Sequence, residues 1–115
     1  FAYGSDGDRL AGKHMMLAVT AAGPEEAYAH EGYQNFPLRA FLTPLEQTAH
    51  LCRMHFSAPY VLYSSLKAPS EGTLELHVDG YRKLIRAIRD NRYSFSDAEK
   101  MDVIGFDNLP IREEA

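Results

Sequence analysis

At 115 residues, 45% hydrophobic and 24% charged, the sequence has ordinary globular composition, which suits one domain and excludes a disordered or fibrous chain. A formal net charge of −4 offers no basic face for a nucleic-acid partner, and a single cysteine, Cys52, excludes an internal disulfide and fits a reducing cytoplasm. No apolar run approaches the ~20 residues of a membrane helix, and no repeat or low-complexity segment is present.

Residues 1–12 carry Gly4, Gly7 and Gly12 among Ser5, Asp6 and Asp8, which is loop chemistry. Residues 14–20 are a nearly unbroken apolar run that stops at Ala21-Ala22-Gly23-Pro24. Such a run predicts a strand buried on both faces, of the kind found in parallel sheets covered by helices. In open α/β sheets ligands bind just past the carboxyl ends of the strands, which directs attention to residues 20–28. The connection over 21–37 is long for a compact domain and holds Tyr28, His30, Tyr33 and Phe36. Its rings either pack or contact a ligand.

A short helical lead-in over 38–42 is expected before Thr43-Pro44-Leu45-Glu46, which reads as a capping box. Thr43 would accept from the Glu46 amide, the Glu46 side chain would reach back to the Thr43 amide, and Pro44 would take the first helical position. The helix is expected to run to about Met54, with Leu45, Ala49 and Cys52 on its inner face. His50, Cys52 and His55 do not make a metal site on this reading, because i, i+5 histidines do not share a helical face and Cys52 lies on the apolar stripe.

A second strand is predicted over 58–64, with Pro59 tolerated at its start. After the turn at Ala68-Pro69-Ser70, Leu74, Val78, Tyr81, Ile85 and Ile88 recur at helical spacing and read as the core stripe of a second helix. Arg82, Lys83, Arg86 and Arg89 fall on its solvated face and complement the helix dipole. Beyond Arg92 the composition turns polar. Ser96-Asp97-Ala98-Glu99 reads as a capping box for a short helix through Ile104, closed by Gly105, and residues 112–115 should be frayed. The organisation is thus an α/β unit over 1–91 and an extension over 92–115. Its order of strand, helix, strand and helix is a right-handed βαβ unit. Two strands are too few to bury each other. The chain also opens on Phe1-Ala2-Tyr3-Gly4 without a methionine, so the remaining sheet is expected to come from elsewhere. No nucleophilic triad and no G-x-x-x-x-G-K-[ST] phosphate loop is present.

Four motifs in order carry a family resemblance: Phe1-Ala2-Tyr3-Gly4, Leu10-Ala11-Gly12-Lys13, Val19-Thr20-x-x-Gly23-Pro24 with Tyr28, and Pro44-Leu45-Glu46-Gln47-Thr48. Over about residues 1–88 the sequence resembles the flavodoxin-like NAD(P)H:quinone oxidoreductases, a family that includes the ancillary quinone reductases of glutathione-gated potassium efflux systems. The resemblance implies an α/β flavodoxin-like fold, three αβα layers around a parallel sheet, of which these residues supply the last two strands and last two helices. The front half, with the flavin-phosphate loop, is not among them. The implied cofactor is FMN, with FAD the alternative, and the implied reaction carries hydride from NAD(P)H through flavin to a quinone.

The resemblance also implies site residues. The flavin ring lies on the loop Thr20, Ala21, Ala22 and Gly23, where the family commonly has Thr-Thr-Gly-Gly. The alanines keep the backbone donors, provided Ala22 holds a negative φ. Tyr28 matches a tyrosine whose hydroxyl bonds the flavin near N1 and O2, the edge that gains negative charge on reduction. Some members place a histidine a few residues on; here Gln34 stands at about that place and His30 is nearby, so Tyr28 and His30 are the candidate catalytic residues. Phe1 and Tyr3 match a segment near the quinone pocket of the partner subunit, which implies a homodimer. The implied location is cytoplasmic or peripheral at the inner face of a membrane. Two alternatives stand beside the reductase: an ancillary regulatory subunit that binds a membrane potassium-efflux transporter, and an inactive fragment.

Overall fold

The computed structural model describes residues 1–113. Two lines of chain run parallel: β1 (His14–Met15) pairs with β3 (His55–Phe56), and β2 (Ala18–Thr20) pairs with β4 (Tyr60–Leu62). The connection between the lines is α1 (Thr43–Leu51), so the βαβ order holds. Each line is expected from the sequence as one strand, yet each is interrupted. His14 faces His55 while Ala18 faces Tyr60, so the second line carries one residue more between the pairs. Pro59 lies in that surplus. It has no N–H to give the ladder, which resumes where the Tyr60 N–H donates to the Leu17 carbonyl at 2.8 Å.

A third line flanks β4 on its other side. Ile104 bridges Tyr60 in parallel; its N–H donates to the Pro59 carbonyl and its carbonyl accepts from Val61, both at 2.9 Å. This corrects the expected helix through Ile104. The cap is Ser94, whose hydroxyl accepts from the Asp97 amide at 3.3 Å, two residues ahead of the expected Ser96. The helix α4 (Phe95–Glu99) therefore starts and stops early, and Ile104 is free to enter the core. The expected fraying is also wrong at Arg112, whose amide donates to the Arg92 carbonyl at 2.7 Å; residues 114 and 115 lie outside the described residues.

The capping box at Thr43 does not form. The chain enters α1 directly from the 3-10 turn Leu38–Leu42, so Thr43 is already helical and its hydroxyl donates to the Ala40 carbonyl at 2.8 Å. The Glu46 carboxylate instead takes Arg39 Nε at 3.0 Å. The helix ends at Leu51 rather than Met54, and Arg53, with φ +61°, turns the chain into β3. Of its expected inner face Ala49 is buried, Cys52 is half-buried and Leu45 is exposed.

Two helices follow β4: the single turn α2 (Ala68–Glu71) and the long α3 (Thr73–Arg89). The core face of α3 is not the expected stripe. Gly80, Leu84 and Ala87 are buried, and His77 stacks on Tyr60 with ring centroids 4.4 Å apart. Leu74, Val78, Tyr81 and Ile85 are 37–45% exposed. Gly80 explains the rotation. A Cβ there would meet the Tyr60 hydroxyl and stand 2.7 Å from Phe106 Cβ, so the helix lies closest along its side-chain-free position. The main core joins Ala58, Tyr60, Leu84, Ala87, Tyr93, Ala98 and Ile104. Two-faced burial holds for β4 but not for the first line, where Ala18 and Thr20 are exposed because only one neighbouring line covers them. Among the described residues no helix is long and apolar enough to cross a membrane.

Candidate functional site

The carboxyl end of β2 is stitched to the exit of β4. The Ala21 N–H donates to the Leu62 carbonyl at 2.8 Å, the Ser65 N–H to the Ala21 carbonyl at 3.0 Å, and the Ser64 N–H to the Gly23 carbonyl at 2.9 Å. These bonds hold one side of residues 21–23. Hydrogen bonds within the described residues leave the amides of Ala22 and Gly23 unused. Among the described non-glycine residues, positive φ occurs only at Asn35, Arg53, Ser64 and Asn91, so Ala22 sits in ordinary backbone geometry and an alanine suits the position.

Tyr28 closes a single 3-10 turn, Glu25–Ala27, and its N–H donates to the Glu25 carbonyl at 3.1 Å. That turn folds the ring back over the loop. A Cβ on Gly23 would stand 3.3 Å from Tyr28 Cε2 and 3.4 Å from its hydroxyl oxygen. Tyr63 flanks the ring at 5.8 Å between centroids, and Phe41 meets it edge-on at 6.2 Å. Tyr28 thus packs through its ring while its hydroxyl makes no hydrogen bond among the described residues. Beside it Gly32 crosses the 25–27 turn so closely that a Cβ would strike the Glu26 and Ala27 carbonyls, and the Gln34 N–H returns to the Ala27 carbonyl at 2.9 Å. The crossing encloses an open cavity of about 550 Å³, lined by Ala22, Gly23, Pro24, Glu26, Tyr33 and Gln34 among others. Its one charged wall is the Glu26 carboxylate.

Of the expected site residues only Ala22 and Gly23 line this cavity; Ala21 is buried behind it and Tyr28 packs beside it, and the others lie apart. His30 is exposed and is not on its wall, and Thr20 is exposed at the end of β2. Phe1 and Tyr3 are 87% and 66% exposed and do not line it either. Sequence reading missed a second cavity, of about 360 Å³, past the carboxyl end of β4 between Glu25, Ser64, Glu71, Thr73 and Asp107. The signal was present: the rule that points past the end of the first strand applies equally to the second. Tyr63, on its wall, has its hydroxyl pKa raised by burial and then by the Glu25 charge. Among the described residues no three His, Cys, Asp or Glu side chains are placed to hold a metal ion.

Residues 1–85 match the family described as flavodoxin-like fold. The chain belongs to that family. Its parallel lines and crossover helix are a partial flavodoxin-like α/β domain. Among curated proteins it is 37% identical over 86 residues to the glutathione-regulated potassium-efflux system ancillary protein KefG of Serratia proteamaculans (strain 568), covering 75% of this chain and 46% of that protein. Among solved structures it is 32% identical to general stress protein 14 of Treponema denticola in complex with FMN, at a TM-score of 0.56 over 64% of this chain and 42% of that one. It is also 38% identical to a thermophilic tryptophan halogenase from Streptomycin violaceusniger, at a TM-score of 0.54 over 56% of this chain and 37% of that one. The chain spans less than half the length of the curated relatives it matches.

Proposed function

We propose that this flavodoxin-like chain forms the ring-edge part of a flavin site in an NAD(P)H:quinone oxidoreductase. The observation that carries the reading is the pair of unused amides at Ala22 and Gly23 beside the unpartnered hydroxyl of Tyr28. Fixed amides and a neutral phenol suit the carbonyl-rich edge of a flavin ring. The same wall suits the phosphate poorly, since its charged group is Glu26. The family and the FMN-bound Treponema relative support the cofactor class.

A bound flavin would supply acceptance of hydride from a nicotinamide and its delivery to a quinone. The chain's own residues do the rest. Ala22 and Gly23 would donate their amides to the ring edge, and the Tyr28 hydroxyl would donate where negative charge develops. Tyr28, backed by Tyr63 and met edge-on by Phe41, would shield one side of the ring. The exposed rings of Phe1, Tyr3 and Tyr33 would contact a flat quinone or a second subunit across a two-fold axis, and His30 would act beside Tyr28. A second reading, favoured by the names of the curated relatives, is an ancillary subunit of a membrane potassium-efflux transporter.

Fluorescence titration of the chain with riboflavin and with FMN tests the site. Equal affinities, both weakened by Gly23→Val, are expected, because these residues hold the ring and not the phosphate. Binding that requires the phosphate, or no quenching by either compound, refutes it. Anaerobic bleaching of the bound flavin by NADH or NADPH, reversed by a quinone, tests the reaction; flavin that stays oxidised with both nucleotides refutes that step.

A further inference from the structure

Charge is unevenly spread along this chain. Residues 82–92 hold five cations, Arg82, Lys83, Arg86, Arg89 and Arg92, against one acid, Asp90, and so carry a formal +4. The whole chain carries −4, which leaves −8 for the rest. The basic stretch ends α3 and turns back on itself. Asn91, with φ +57°, reverses the chain, and the Arg92 N–H donates to the Ala87 carbonyl at 2.7 Å. There it meets the end of the extension: Tyr93 bridges Ile111 in the antiparallel sense, and the Arg112 N–H donates to the Arg92 carbonyl. Between the helix end and this short ladder lies a groove of about 330 Å³, walled by Lys83, Arg86, Ala87, Asp90, Arg92 and Ile111.

Two of its charges are answered within the chain. Asp90 is held by Arg89 at 2.8 and 3.0 Å, and Lys83 by Asp79 at 3.3 Å. Arg86 and Arg92 have no carboxylate partner among the described residues. The helix dipole accounts for Arg86, which stands in the last turn. It does not account for Arg92, which lies beyond the helix and is half-buried. Arg92 is also fixed. Its Nε donates to the Arg112 carbonyl at 2.9 Å, which leaves both terminal nitrogens without a hydrogen bond among the described residues. Arg112 is set beside it by a bond to the Asn91 carbonyl at 2.7 Å, so two guanidiniums share one short ladder. The carbonyls that would repel an anion at this helix end are occupied: those of Arg86, Ala87 and Ile88 accept from Asp90, Arg92 and Asn91.

We propose that this groove binds an oxyanion of the phosphate class carried on a small organic body. Arg86 and the free edge of Arg92 take the phosphoryl oxygens, because a planar guanidinium offers paired donors to such a group. Lys83 adds charge at the rim, and Ala87 and Ile111 give the organic part an apolar floor. The volume lies at the lower end of cavities that hold small molecules. The groove belongs to this chain rather than to the family match, which ends at residue 85 and includes only Lys83 of the wall. It is also clear of the candidate flavin site. Thr73, at the start of α3, lines the cavity past the end of β4, and the helical rise puts Arg86 about 20 Å from it. Both ends of the domain can therefore be occupied together. Two sources carry this chemistry, a soluble phosphomonoester and a phospholipid headgroup.

The test follows amide shifts of the chain in NMR titrations with inorganic phosphate and with phenyl phosphate at constant ionic strength. Co-sedimentation is measured beside it, with vesicles of phosphatidylglycerol and of phosphatidylcholine. Saturable shifts are expected at Ala87, Arg92 and Arg112, with phenyl phosphate bound more tightly than phosphate. Arg86→Gln and Arg92→Gln should each weaken binding by about tenfold. Arg82→Gln removes the same charge from α3 but not from the wall, and should weaken binding by less than about twofold. Should Arg92→Gln disturb the short ladder, the exposed Arg86→Gln carries the comparison alone. Sedimentation with phosphatidylglycerol that phosphate competes away and Arg86→Gln abolishes assigns the site to a lipid headgroup; binding of both phosphates without sedimentation assigns it to a soluble ligand. Equal weakening by Arg82→Gln and Arg86→Gln overturns the proposal, because binding would then follow net charge and not the groove. So does the absence of saturable shifts with either phosphate.

Discussion

Replacing Tyr28 with phenylalanine separates folding from ligand binding at the candidate site. The ring keeps its contacts with Tyr63 at 5.8 Å and Phe41 at 6.2 Å, and its close seat on Gly23. The hydroxyl leaves without breaking a hydrogen bond among the described residues, so stability should change by no more than about 0.5 kcal/mol. A flavin that accepts from that hydroxyl loses one neutral hydrogen bond, about 0.5–1.5 kcal/mol, which is roughly a two- to thirteenfold weaker Kd. Urea unfolding and riboflavin fluorescence titration of Tyr28→Phe read the two effects on one sample. Under reductase turnover, the same change should slow flavin reduction by roughly tenfold, because negative charge grows at that edge. A variant destabilised by more than about 1.5 kcal/mol would mean that the hydroxyl is a structural group, beyond the ordinary range for surface substitutions. A variant that binds riboflavin unchanged would remove the hydroxyl from the site.

Other outcomes are expected. Gly80→Ala should destabilise the chain by about 1–2 kcal/mol in urea, because overpacking against Phe106 Cβ at 2.7 Å and Cα at 3.0 Å outweighs the helix propensity of ~1 kcal/mol gained. Arg39→Ala should cost about 1–2 kcal/mol by thermal unfolding and Arg39→Lys nearly as much, since Nε bonds Glu46 at 3.0 Å while a terminal nitrogen bonds the Asp102 carbonyl at 2.7 Å. Burial pushes the hydroxyls of Tyr60 and Tyr93 up to about 12, with the Asp79 and Asp107 charges adding at Tyr60. The unfolded chain then loses these protons first, near 10, so both phenols contribute fully below pH 10 and their contribution declines towards pH 12. Urea midpoints should fall over that window, and a midpoint that holds steady would contradict it.

Much of the fold could be read from local signals. The apolar run over 14–20, its Gly-Pro stop and the crossover to Tyr60, Val61 and Leu62 are local in pattern, and the parallel pairing follows from them. The loop at Ala21, Ala22 and Gly23 was legible because a strand end is where a parallel sheet exposes donors. What escaped was decided by distant partners. Thr43 matches a cap by spacing, but the preceding 3-10 turn fills the place the cap would occupy. The stripe on α3 was periodic enough, yet which apolar arc meets the sheet depends on Gly80 against Phe106, a contact between residues 26 apart in sequence. Ser94 rather than Ser96 is the cap where the Tyr93–Ile111 bridge and the Ser94 amide bond to the Pro110 carbonyl end, and Ile104, bound to Pro59 and Val61, lies beyond the helix's far end.

The surplus residue around Pro59 acts as a parity switch. Before it, the odd-numbered residues His55 and Ser57 donate to the first line; after it, the even-numbered Tyr60 does. The exchange frees Pro59 and Val61 to engage Ile104 on the other side, and it also fixes faces. Tyr60 joins the cluster with Leu84 under α3, while Val61 joins Ala21 and Leu38 under the candidate site. If the same sequence paired as an unbroken ladder, Pro59 would stand opposite Ala18 and every side chain after it would be inverted. Proline would then take the place of Tyr60 under Gly80, and the Tyr60 phenol the place of Val61 beneath the loop at Ala21. The irregularity at Pro59 is what sets the faces of the last strand.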